Sequence, residues 1–463
     1  MKYISTRGQA PELTFEEAML TGLARDGGLY LPAEIPVMGQ DEIAALAGLP
    51  YEEIAFRVMW PYVSGSFAED EFRGIITRAY EGFGHAARAP LKQLNENHFL
   101  LELFHGPTLA FKDFAMQLIG QLFQAALARR GETVTIVGAT SGDTGSAAIE
   151  AFRGLDAVNV FILFPHGRVS EVQRRQMTTP ADGNVHALAV DGDFDDCQAR
   201  VKDMFNDFAF RDGVRLAGVN SINFARVLAQ VVYYFSAATS LGAPHRKVSF
   251  TVPTGNFGDI FAGYIAKRMG LPIERLVVAT NQNDILHRCL SGEGYFKGET
   301  IPSISPSMDI QVSSNFERAL YYAYGQDGAV VSQLMDELQQ GGFHVSQGAM
   351  QALRESFSSG RASEEETLAT IKATLAASGE LLCPHSAVGV KVAEEARRAD
   401  AAPMITLATA HPAKFPAAVE QASGVFPPLP PRMSDLYERP ERVTRIANDL
   451  AALQDHIRRH IPA

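Results

Sequence analysis

From about residue 100 the chain sets short β-rich runs against polar or Gly-rich turns and then helical stretches. VTIVGA (134–139) runs into TSGDTGSAAIEAF, and VSFTVP (248–253) runs into TGNFGDIFAGYIAKR. NVFILF (159–164), RLVVAT (275–280) and MITLATA (404–410) are further strand-like runs of the same kind. Few folds tolerate this order. Parallel strands need a crossover, usually a helix, so alternation of this type implies α/β units and a largely parallel sheet. In open sheets of that class the strand-to-helix turns gather at the carboxyl edge, where ligands bind. Residues 1–95 read differently, as mostly helical, and about 440–460 reads as a polar helix after a stiff Pro-rich connector, FPPLPPRMSDLYERPERV.

The 463 residues suffice for two or three domains with real cores. The formal net charge of -12, from 53 acids and 41 bases, argues against a general nucleic-acid binder, which would need a basic face, but leaves room for a locally positive pocket. Three cysteines without a CxxC make a disulfide framework or thiolate zinc site an unpromising reading. No apolar run reaches ~18 residues and the first residues lack the apolar core of a signal peptide, so the expectation is a protein of the reducing cytoplasm with no membrane partner. His456 and His460 have i, i+4 spacing, but no third ligand is evident, so a solvated helix face and no metal are expected.

Three turns carry the chemistry. Ser141, Gly142, Asp143 and Thr144 open a helix after VTIVGA. Small residues there admit a ligand to the backbone, and a helix N-terminus offers free N–H groups to an anion; a tight turn capped by Ser or Thr reads the same way. Gly255, Asn256, Phe257 and Gly258 repeat that arrangement after VSFTVP. Thr409 ends MITLA with a hydroxyl that can donate or accept. Neither GxxxxGK[ST] nor a dinucleotide fingerprint in strand–helix context is present, which argues against a nucleotide enzyme.

In HGPTLAFKDFAMQLIG (105–120), Lys112 stands among apolar residues. It can snorkel. Alternatively it is a buried amine whose charged form is disfavoured, able to hold an aldehyde cofactor as a Schiff base. One reactive lysine, one phosphate cradle and one hydroxyl for a ring nitrogen, with a second cradle left for substrate, match the needs of pyridoxal 5'-phosphate.

These stretches resemble the threonine synthase family in its longer form. HGPTLAFKDFAMQ, TSGDTGSAA, PTGNFGDIFAGYIAKRMGLPI and TAHPAKF carry the resemblance, with GLARDGGLYLP (22–32), RVSEVQRRQMT (168–178) and NSINFARVLAQVVYYF (from 220) beside them. CPHSAVG (383–389) departs from the expected DPHTAVG at Cys383 and Ser386. The resemblance implies an α/β fold, the fold type II of pyridoxal-phosphate enzymes, with two open α/β domains, the cofactor between them, and a mostly helical N-terminal domain. It implies boundaries at 1–95 for the N-terminal domain, 96–131 with 215–463 for the large cofactor-binding domain, and 132–214 for a small mobile substrate-loop domain. It also implies that O-phospho-L-homoserine and water become L-threonine and phosphate. Lys112 is then the Schiff-base and catalytic lysine. Gly255, Asn256, Phe257 and Gly258 hold the cofactor phosphate, Thr409 faces the pyridine nitrogen, and Ser141, Gly142, Asp143 and Thr144 grip the substrate carboxylate. Arg174, Arg175, Lys414 and the ARDGG turn are candidates for the substrate phosphate. A serine/threonine dehydratase or phospho-amino-acid lyase on the same fold is the alternative, and a monomer or homodimer is expected.

Overall fold

The structure, a computed structural model, describes residues 1–218, 220–397 and 402–461. The chain forms two compact units. The first comprises Met1–Ile76, His85–His105 and Ser221–Pro427; the second comprises Thr77–Gly84, Gly106–Asn220 and Pro428–Ala463.

The first unit holds a six-stranded sheet in the order Phe357–Arg361, Ile273–Thr280, Val248–Pro253, Met404–Ala408, His98–Glu102, Leu91–Asn95. Its neighbours are parallel except the last pair, which is an antiparallel hairpin. The central strands Val248–Pro253 and Met404–Ala408 are buried at every position. That is why their sequences read as apolar runs rather than alternations. The N-terminal segment adds helices at Phe15–Thr21, Gln40–Ala44 and Tyr51–Val63, and Tyr3–Ser5 pairs antiparallel with Tyr30–Pro32.

The second unit holds a five-stranded parallel sheet in the order Thr444–Ala447, Val185–Asp191, Val158–Pro165, Val134–Ala139, Leu216–Ala217. The sequence reading runs the large domain to residue 463. Strand Thr444–Ala447 instead pairs with Leu188–Asp191, and the helix Leu450–His460 packs Leu453 and Ile457 against Phe161, Leu163 and Leu188. Apolar burial thus ties the C-terminal segment to the second sheet. The Pro-rich connector is also anchored, for Met433 and Leu436 bury themselves with Leu109 and Val172.

His460 is exposed, as a solvated face requires, but His456 departs from that expectation. His456 is buried, its ring stacks on His460 with centroids 4.1 Å apart, and His186 lies 5.1 Å from His460. The helix turns this edge inward because Leu453 and Ile457 share its face with His456. Among the described residues no group of His, Cys, Asp or Glu is placed to hold a metal, and no helix is long and apolar enough to cross a membrane.

Candidate active site

In the second unit Lys112 begins the helix Lys112–Arg130, whose C-terminus is closed by Gly131 at φ 63. The turn before it is tied by Asp113. Its Oδ2 accepts from the Thr108 amide at 2.8 Å and its Oδ1 from the Thr108 hydroxyl at 2.6 Å. Gly106 is obligatory there, because a Cβ would overlap the Asp113 carboxylate. Arg432 Nη2 donates to the Gly106 carbonyl at 2.7 Å, so the connector helps hold this turn. Lys112 is only 8% exposed, which places it well beyond a snorkelling surface lysine. Its Nζ lies 3.5 Å from Asp143 Oδ2 and 5.2 Å from the Phe111 ring centroid.

Asp143 opens the helix Asp143–Phe152 directly after Val134–Ala139. Its other oxygen, Oδ1, accepts from Gln173 Nε2 at 2.9 Å. Gln173 comes from the helix Glu171–Thr178, which follows the neighbouring strand Val158–Pro165 and begins with a Ser170–Gln173 capping box. Gly142 sits at φ 139, and a Cβ there would overlap the Gln173 amide. The Thr140 hydroxyl accepts from the Gly142 and Gly145 amides, each at 2.9 Å. One loop amide and one amide of the first helical turn are therefore already satisfied, although the N-cap itself is Gly142 rather than a Ser or Thr. Ser141 and Thr144 stay half-buried. Asp143 faces the Lys112 amine rather than standing with them.

In the first unit the turn Gly255–Gly258 follows Val248–Pro253 and opens the helix Gly258–Arg268. Phe257 adopts φ 63, unusual for a bulky residue. Its ring is held edge-on by Phe316 and Phe357, both at 5.2 Å. A Cβ on Gly255 would lie 2.7 Å from the Ser307 carbonyl oxygen, so that position must lack a side chain. Thr409 follows Met404–Ala408, a strand parallel to and beside Val248–Pro253, so both features leave the same edge of one sheet. Thr409 donates its N–H to Ser386 Oγ at 3.2 Å. The departure at Ser386 thus touches a predicted site residue, through a contact 23 positions apart.

The turn fits a phosphate. The Gly255 carbonyl accepts from Ser313 Oγ at 2.5 Å, and the Asn256 carbonyl from the Asn315 amide at 3.0 Å. A planar peptide aims the next N–H the opposite way. The amides of Asn256, Phe257 and Gly258 have no protein acceptor among the described residues and lie at the N-terminus of the helix Gly258–Arg268. Behind them, burial lifts the Asp259 carboxyl to about 7, while the Tyr233 and Tyr234 hydroxyls donate to Oδ1.

Of the candidates for the substrate phosphate, Arg174 and Arg175 are held in ion pairs, with Glu441 at 3.1 Å and with Glu171 at 3.0 Å respectively. Lys414 is fully buried. In the ARDGG turn Asp26 accepts from Ser5, Gln9, Ala10 and Gly28, which makes it a structural knot. The sequence reading missed Thr140, Gln173, Asp113 and the run Ser313–Asn315. Asp113, Thr140 and Gln173 do lie in the stretches that carry the family resemblance, whereas Ser313–Asn315 lies in none of them.

Three family descriptions match: "Threonine synthase N terminus" over residues 2–80, "Pyridoxal-phosphate dependent enzyme" over 85–407, and "Threonine synthase, C-terminal" over 386–457. The chain is 57% identical to a threonine synthase of Pseudomonas aeruginosa over 99% of this chain and 98% of that one. A crystal structure of PLP-bound threonine synthase from Brucella melitensis superposes with a TM-score of 0.98 at 57% identity, covering 100% of both chains. Threonine synthase from yeast follows at a TM-score of 0.94 and 41% identity, covering 99% of this chain and 98% of that one. The chain therefore belongs to the threonine synthase family of pyridoxal-phosphate-dependent enzymes.

Proposed function

We propose that the chain converts O-phospho-L-homoserine and water to L-threonine and phosphate, with Lys112 as the residue that bonds pyridoxal 5'-phosphate. The observation carrying this reading is a lysine buried at a helix start, with a carboxylate 3.5 Å from its Nζ, in a chain of this family. When bound, the cofactor stabilises the negative charge left on substrate carbon as protons leave. Everything else falls to this chain. Gly255, Asn256, Phe257 and Gly258 hold the cofactor phosphate through backbone amides. The Thr409 hydroxyl faces the pyridine nitrogen, and being neutral it leaves that nitrogen less protonated than a carboxylate would. With substrate bound, the Lys112 amine would move protons at its α and β carbons. Asp143, itself oriented by Gln173, positions that amine. Ser141, Gly142 and Thr144 receive the substrate carboxylate. Residues 132–214 act as the mobile substrate-loop domain, excluding water as they close. Within this reading the enzyme is cytoplasmic, a monomer or homodimer.

The test joins borohydride reduction, with mass-spectrometric location of the adduct, to an assay of phosphohomoserine turnover. The expected result is a single adduct on Lys112 with threonine and phosphate formed in equal amounts. An adduct on another side chain, or ammonia as the main product, overturns the proposal.

A further inference from the structure

The run Ser313–Arg318 follows the cofactor-phosphate turn almost residue by residue. Ser313 Oγ donates to the Gly255 carbonyl at 2.5 Å, and Ser314 Oγ lies 3.4 Å from Asn256 Oδ1. The Asn315 backbone N–H donates to the Asn256 carbonyl at 3.0 Å, and Asn315 Nδ2 donates to the same carbonyl at 3.1 Å and to the Ser221 carbonyl at 3.0 Å. The Phe316 ring meets the Phe257 ring. Arg318, fully buried, donates to Asn315 Oδ1 and sends Nη2 to the carbonyls of Tyr30 and Ile222, each at 2.6 Å.

Arginine only donates, so the Asn315 atom it meets must be the oxygen. The amide nitrogen is thereby turned toward the two carbonyls. These contacts fix the Gly255–Asn256 and Asn256–Phe257 peptide planes from behind, and planarity points the Asn256 and Phe257 N–H groups the other way. A turn with a bulky residue at φ 63 persists only when its surroundings over-determine it.

We infer that Ser313 and Asn315 are positioning residues for the cofactor phosphate: they aim the amides of the 255–258 turn, and Arg318 sets the orientation of the Asn315 amide. The inference rests on the assignment of that turn to the cofactor phosphate. Neither residue touches the cofactor itself; each acts through the backbone of the turn.

Asn315→Asp tests it with shape preserved, replacing the two Nδ2 donors by an oxygen facing two carbonyls. Ser313→Ala is the milder second variant, and it decides the matter should Asn315→Asp fail to fold. The measured quantity is apo-protein affinity for pyridoxal 5'-phosphate and, separately, for pyridoxal, which lacks the phosphate. Asn315→Asp should bind pyridoxal phosphate about 10- to 100-fold more weakly, with Ser313→Ala at the low end, as expected when a buried acceptor loses its donor. Affinity for pyridoxal should hardly change in either. Equal weakening for both ligands means a merely structural role and overturns the inference, as does no change for either. The unaltered protein is the control for the underlying reading. If it binds pyridoxal as tightly as pyridoxal phosphate, the phosphate turn itself is misassigned, an outcome distinct from failure in the variants.

Discussion

Gly120→Ala sets two known magnitudes against each other. In a helix interior alanine is favoured over glycine by about 1 kcal/mol, so propensity alone predicts a stabler protein. Gly120, however, lies where the Lys112 helix crosses the helix Asp143–Phe152. A Cβ there would overlap the carbonyl oxygen of Ala151 and sit 3.1 Å from its carbon. The obstacle is backbone, so no rotamer change relieves it, and the helices must part by about 1 Å to reach ordinary contact. Overpacking of this kind costs about 1–3 kcal/mol or more, which outweighs the propensity gain. A net loss of up to about 2 kcal/mol should lower the thermal midpoint by up to about 8 °C, at about 2–4 °C per kcal/mol. The geometry adds a functional consequence. Gly120 stands two turns past Lys112 and Ala151 two turns past Asp143, roughly 12 Å along each axis. Prying the helices apart there strains the 3.5 Å Lys112–Asp143 contact at their starts. A misplacement near 1 Å can reduce turnover by about 10²-fold. Circular-dichroism melting of the apo protein and steady-state assay of the reconstituted enzyme give both numbers. An unchanged or raised midpoint with normal turnover would refute the reasoning.

Lys112→Ala should abolish the borohydride-sensitive visible band and reduce turnover by at least about 10³-fold, as absorbance and phosphate release will show. Gly142→Ala imposes strain at φ 139 and pushes the Gln173 amide off Asp143. Isothermal titration should find cofactor binding retained, with the KM for phosphohomoserine raised about tenfold or more. Burial, with His460, His456 and Arg442 adding repulsion, holds the His186 imidazole down at about 4. The unfolded chain takes up this proton near 6.5, the folded one only near 4, so the stability it contributes is complete above pH 6.5 and is lost as pH falls from 6.5 to 4. Urea midpoints for His186→Gln should therefore fall less steeply over that window than those of the unaltered protein; parallel slopes would contradict this account.

The ligand-bearing turns were legible because each sits where a run of buried β-branched residues gives way to small residues and a helix. That signal is local, spanning about ten residues around Asp143 or Gly258. The supports behind them were not legible. Ser313 reaches Gly255 across 58 positions, and Lys112 finds Asp143 across 31. No periodicity encodes such pairings, because they arise only when separate crossovers return to one sheet edge. The C-terminal segment was misjudged for the same reason. Its Pro-rich approach looks like a spacer, and only the pairing of Thr444–Ala447 reveals which sheet it completes.

That last pairing bears on how the protein comes off the ribosome. Arg445 and Asp191, joined at 2.7 Å, are 254 positions apart in the chain. While the intervening residues are being translated, strand Val185–Asp191 waits with one hydrogen-bonding rim uncovered, and such rims invite pairing with other nascent chains. The second sheet is thus a structure begun early and sealed late. Chaperone dependence during synthesis should concentrate in that interval.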